Sequence, residues 1–79
     1  MANVREYLVH LITQICRGHP VDLSDHGRPL LDSGLDSLDY ATVLMGIEEH
    51  FKISVSDEDL EQVGSIDAIV TFIETRAGI

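Results

Sequence analysis

The string Leu31-Asp32-Ser33-Gly34-Leu35-Asp36-Ser37-Leu38-Asp39 holds the residues best placed to do chemistry. A glycine-containing turn leads into Asp36, a favoured helix N-cap residue. Asp39 follows three positions later, as in the carboxylate variant of a capping box. Ser37 is then the first residue of a helix, with its hydroxyl at the positive end of the backbone dipole. Free N–H groups at such an end suit an anionic substituent such as a phosphodiester. The carboxylates of Asp36 and Asp39 partly oppose that effect. Anion stabilisation is therefore modest, and the acids serve the cap and a basic partner.

Other chemistries are less well supported. Ser37 with His10, His19, His26 and His50 could be drawn as a hydrolytic triad, but the chain has no Gly-x-Ser-x-Gly elbow. Its histidines also show no spacing that demands pairing. Asp57-Glu58-Asp59 has the acid density of a calcium loop without its alternating ligands, central glycine and terminal glutamate. Cys16 lies on an apolar helical stripe and reads as a buried thiol. A single cysteine builds no disulfide framework, and no Cys–His spacing points to zinc. The expectation is a chain with no catalytic residues and no metal site.

The scaffold that positions Ser37 is small. Seventy-nine residues make one domain, 1–79, near the size at which a single core barely outweighs chain entropy. The net charge of −9 argues against nucleic-acid binding, and two Phe, two Tyr and no Trp leave little for base stacking. A 44% hydrophobic content is too high for a disordered acidic tail. The charge is also uneven: Asp32, Asp36, Asp39, Glu48, Glu49, Asp57, Glu58, Asp59 and Glu61 face only Lys52 within 32–61. That asymmetry points to a basic partner. The N-terminal residues lack the long apolar stretch of a signal peptide or membrane span, so cytoplasm without membrane insertion is expected.

Periodicity predicts an all-α fold, a small four-helix bundle of three longer helices and one short one. Val4, Tyr7, Leu8, Leu11, Ile12, Ile15 and Cys16 recur at helical steps, giving an amphipathic helix that ends near Gly18. Residues 18–36 form a long loop, with Val21/Leu23 and Leu30/Leu31 expected to pin it to the core. The second helix starts at Ser37 and runs to His50 or Phe51. Its core face is Tyr40, Val43, Leu44, Ile47 and Phe51, while Leu38, Ala41, Met45, Glu48 and Glu49 fall on the other side. A short helix follows Ser56 and stops at Gly64. Ser65 caps a last helix whose stripe is Ile66, Ile69, Val70 and Ile73, with Phe72 beside it.

Gly34-Leu35-Asp36-Ser37-Leu38-Asp39, with Glu48-Glu49-His50-Phe51 one helix later, resembles an acyl carrier protein along essentially the whole chain. The resemblance implies that Ser37 carries 4′-phosphopantetheine, transferred from coenzyme A by a phosphopantetheinyl transferase with Mg²⁺. The arm's thiol would then hold an acyl or aminoacyl group as a thioester. It also implies an acyl- or aminoacyl-loading ligase, and synthases or transferases whose basic patches read Asp36, Leu38, Asp39, Met45, Glu48 and Glu49. A monomer is expected. A prosthetic thiol makes sense chemically, being a better nucleophile and leaving group than a serine hydroxyl.

Fatty-acid-synthesis carriers usually read Leu-Gly-Ala before Asp-Ser-Leu, where this chain has Ser33-Gly34-Leu35. They commonly place a glutamate at Thr42 and a non-aromatic residue at Tyr40. Gly46 sits in the middle of the helix, where glycine costs roughly 1 kcal/mol relative to alanine. These departures favour a specialised free-standing carrier of a lipid, polyketide or aminoacyl pathway over the housekeeping one. The reading from a different class is an acidic adaptor that binds a basic protein without any prosthetic group.

Overall fold

Each α-helix begins where a polar side chain can satisfy its first free amides. The computed structural model describes residues 3–18 and 20–78. Helix α1, Val4–Ile15, is capped by Asn3, whose side chain accepts from Arg5 N at 3.0 Å and Glu6 N at 3.2 Å. Helix α2, Ser37–Phe51, is capped by Asp36, and α3, Ile66–Ala77, by Ser65. The short helix, Asp57–Gln62, is 3₁₀ in type and starts with a reciprocal capping box between Ser56 and Asp59. The result is the expected small all-α bundle, and no strand occurs among the described residues.

The core is built from the predicted stripes. Leu8 and Ile12 of α1, Val43 and Ile47 of α2, and Ile69 and Ile73 of α3 are all completely buried. Helix α1 packs against both α2 and α3. Phe72, placed beside the last stripe by its spacing, is buried with it, and the Arg76 guanidinium lies 4.5 Å above its ring. At the far end of α2, His50 stacks on Tyr7 at 4.0 Å and Phe51 meets Tyr7 edge-on. That aromatic cluster fixes the end of α2 to the start of α1.

Three details differ from the sequence-based expectation. Helix α1 stops at Ile15 and a turn carries the chain through Cys16 to Gly18. The long loop contains a 3₁₀ turn, Leu30–Asp32, too short to leave a periodic signal. It is held by a tertiary bond, Leu30 N donating to Gly64 O at 2.8 Å, and a local one, Ser33 Oγ donating to Pro29 O at 3.1 Å. The Leu30/Leu31 pair is also split: Leu30 is buried and Leu31 is exposed, because a tight turn points neighbouring side chains apart. Leu35, with Val21 and Leu23 packed against the core, completes the anchoring of the loop.

Candidate functional site

The approach to Ser37 is set by backbone geometry. Gly34 has φ +115°, and a Cβ there would lie 2.9 Å from the Pro20 carbonyl oxygen and 3.2 Å from Val21 Cα. Only glycine meets both constraints without strain. Leu35 then drops into the core, and Asp36 turns outward as the N-cap, its Oδ1 accepting from Asp39 N at 2.8 Å. Ser37 follows as the first helical residue, exposed to solvent, with exposed Leu38 beside it. Among the described residues, none is hydrogen-bonded to the Ser37 side chain.

This arrangement suits a phosphodiester on Ser37 Oγ. The substituent would lie in open solvent at the N-terminus of a 15-residue helix, where the backbone dipole favours negative charge. When bound, 4′-phosphopantetheine supplies a mobile thiol. What the chain presents at Ser37 is an exposed residue on a rigid helix start.

The sequence-predicted surface residues divide into two groups. Leu38 is 74% exposed and Met45 66%, and Asp36 and Glu49 are exposed as well. Glu48 and Asp39 are only half-exposed. The Glu48 carboxylate accepts from Val55 N at 2.8 Å and so holds the segment after α2. The Asp39 carboxylate lies 3.8 Å from the Cys16 thiol, which donates to it. Burial, together with the negative charges of Asp39 and Asp36, pushes the Cys16 thiol above its ordinary pKa.

Tyr40 is the feature that helical spacing alone did not explain. Its ring lies half-buried on the core face one turn beyond Ser37, and its hydroxyl donates to the buried Val63 carbonyl at 2.8 Å. Burial raises the phenol's pKa, so it remains a donor. A core tyrosine requires some partner for its hydroxyl, but only the fold brings Val63 to it. Gly46 is explained too: a Cβ there would meet Leu11 Cδ2 at 3.0 Å, so the missing side chain lets α1 approach α2.

The described histidines are engaged elsewhere. His10 pairs with Gln14, His50 stacks on Tyr7, and His26 Nδ1 lies 2.8 Å from Arg5 Nη1, which also bridges to Asp67. His19 falls outside the described residues. Among the described residues, no three His, Cys, Asp or Glu side chains gather as a metal site. No described helix is long and apolar enough to cross a membrane.

A helical bundle that displays a serine at an acid-flanked helix start has the form of a prosthetic-group carrier. The family model described as "Phosphopantetheine attachment site" matches residues 6–73, and the chain belongs to that family, the acyl carrier proteins. It is similar to the acyl carrier protein of Wolinella succinogenes, 33% identical over 58 residues, covering 73% of this chain and 76% of the relative. That of Solidesulfovibrio magneticus is 40% identical over 47 residues, 60% of each chain. That of Buchnera aphidicola is 30% identical over 76 residues, 96% of each chain. Proteins of this family are carriers and not catalysts, and their prosthetic group is 4′-phosphopantetheine.

Proposed function

We propose that Ser37 is the attachment point of the 4′-phosphopantetheine arm and that residues 1–79 act as one carrier domain. The observation that supports this most is the exposed Ser37 hydroxyl, presented at the start of α2 by the Gly34 turn, within the matched span. A phosphopantetheinyl transferase would join the arm to Ser37 Oγ, and a ligase would load its thiol. Asp36, Leu38, Met45 and Glu49 offer partner enzymes an apolar strip bordered by carboxylates, with Asp39 and Glu48 adding charge at its edge. Such charges mainly speed encounter and set partner choice, and they weaken with salt. The setting proposed is cytoplasmic and monomeric.

We assign the cargo to a specialised acyl or aminoacyl pathway on the strength of Ser33-Gly34-Leu35, Tyr40 and Thr42. Tyr40 supports that choice further, because its hydrogen bond to Val63 gives the aromatic residue a definite role. Incubation with coenzyme A, Mg²⁺ and a promiscuous phosphopantetheinyl transferase, followed by mass spectrometry, tests the attachment. One arm should be gained by the chain and none by Ser37→Ala. No gain, or a gain that survives the substitution, refutes the assignment and returns the adaptor reading. Mass analysis of the thioester on protein isolated from its own cells tests the pathway. A ladder of growing fatty acyl chains would make this the housekeeping carrier.

A further inference from the structure

We propose that the short helix Asp57–Gln62 is a strap, latched to the bundle by the ion pair Asp59–Arg76 and released independently of the three α-helices. Asp59 is the only buried residue of that helix. Its one apolar side chain, Leu60, is 42% exposed. The strap therefore lacks the buried apolar side chains that hold α1, α2 and α3. Asp59 Oδ2 accepts from Ser56 N at 3.1 Å and from Ser56 Oγ at 2.9 Å, bonds within the segment itself. Its Oδ1 reaches the bundle, accepting from Arg76 Nη2 at 2.9 Å. Among the described residues, no other side-chain hydrogen bond joins Asp57–Gln62 to another helix.

Both ends of the strap are fixed. Val55 N donates to the Glu48 carboxylate, and Val63 is completely buried with its carbonyl bonded to Tyr40. Movement is thus confined to residues 56–62 and leaves the Gly34 turn and Ser37 in place. Arg76 is set from the α3 side, its guanidinium 4.5 Å above the buried ring of Phe72, one turn earlier on the same face. It brings a positive charge to Asp57, Glu58, Asp59 and Glu61, a run of acids with no base among them. Without that charge their mutual repulsion favours release. The Arg76 side chain is 45% exposed, so the pair is a weak latch that opens far more readily than the core. On the carrier reading, on which this use rests, a segment that re-forms lets one chain fit successive partner enzymes.

The test is hydrogen exchange, followed amide by amide by NMR, in the natural chain and in Arg76→Met. Methionine keeps an unbranched stem over Phe72 and removes the charge. In the natural chain, amides 59–62 should exchange roughly 100-fold faster than those of Leu8, Ile47 and Ile69. Their rates should not respond to low urea, because opening the strap exposes little surface. Arg76→Met should accelerate amides 59–62 by roughly 5-fold, the size of such a pair. That factor should shrink to about 2-fold in 1 M salt, where the screening length falls to about 3 Å. Exchange at 59–62 as slow and urea-sensitive as in the core, no acceleration in Arg76→Met, or a factor indifferent to salt overturns the latch. Phosphopantetheinyl transferase added in excess to the unmodified chain should alter exchange at 59–62 more than at the three core amides. Equal effects at both overturn the re-forming of the strap. Failure of that enzyme to modify Ser37 refutes the carrier reading, while the latch stands or falls on the exchange rates of the free chain.

Discussion

Replacing Gly34 by alanine should damage both the stability of the domain and the presentation of Ser37. The backbone at Gly34 has φ +115°, a conformation that costs an L-residue about 1–2 kcal/mol. The new Cβ would also lie 2.9 Å from the Pro20 carbonyl oxygen and 3.2 Å from Val21 Cα. Both are backbone atoms, so relief requires moving the chain, as in an overpacked core at about 1–3 kcal/mol. The two contributions together amount to about 2–5 kcal/mol. In a domain of this size that lowers Tm by roughly 8–40 °C. Urea titration followed by far-ultraviolet circular dichroism measures the loss, and the initial rate of phosphopantetheinyl transfer reports the displacement of Ser37.

Two other glycines serve as controls. Gly64 has open space where its Cβ would be, so Gly64→Ala should be neutral or stabilising by up to about 1 kcal/mol. Gly46→Ala gains about 1 kcal/mol of helix propensity and meets only the flexible end of Leu11, so the two effects should nearly cancel. A Gly34→Ala variant within about 0.5 kcal/mol of the natural chain would refute the steric reasoning, since that is the range of an ordinary surface substitution.

The Asp59 carboxylate is held below its ordinary pKa by the backbone and side-chain hydrogen bonds of Ser56, helped by Arg76 at 2.9 Å. A depressed carboxylate contributes stability that is present above its unfolded pKa, about 3.9, and lost as pH falls through the folded value. Asp59→Asn should flatten that acid limb in a Tm series from neutral pH downwards; an unchanged limb would put the acid sensitivity elsewhere. Glu49→Lys should slow transfer to partner enzymes at low salt with Tm unchanged, whereas Glu48→Lys should also lower Tm by roughly 4–8 °C. The second effect follows from losing the Val55 bond, at about 1 kcal/mol. Equal melting temperatures for the two variants would mean that the Glu48 bond contributes nothing. Cys16, buried with a raised pKa, should react with an aromatic disulfide reagent roughly 100-fold slower in the native chain than in urea, because attack waits for local opening. Comparable rates would contradict its burial.

Much of this was legible along the chain because the signals are local. Asp36, Ser56 and Ser65 each cap a helix start in the structure, and capping depends on residues three positions apart. The inward faces of α1, α2 and α3 follow helical periodicity, which needs only the sequence and the 3.6-residue turn. The Ser37 turn was legible for the same reason: glycine, cap and serine lie within four residues. The partners of Tyr40, Glu48 and Cys16 were not. Val63 is 23 positions from Tyr40, and Asp39 is 23 from Cys16.

The sequence by itself thus determined the helices, their buried stripes, the concentration of acid in 32–61 and the serine on which the carrier reading turns. The tertiary structure decided how each of those residues is used. It turned Asp39 and Glu48 partly inward, placed Leu11 in the space left by Gly46, and brought the Val63 carbonyl to the Tyr40 phenol. A helical wheel sorts residues into inner and outer faces, but it contains no distances between elements. Hydrogen-bond partners and gaps depend on how the helices pack against one another.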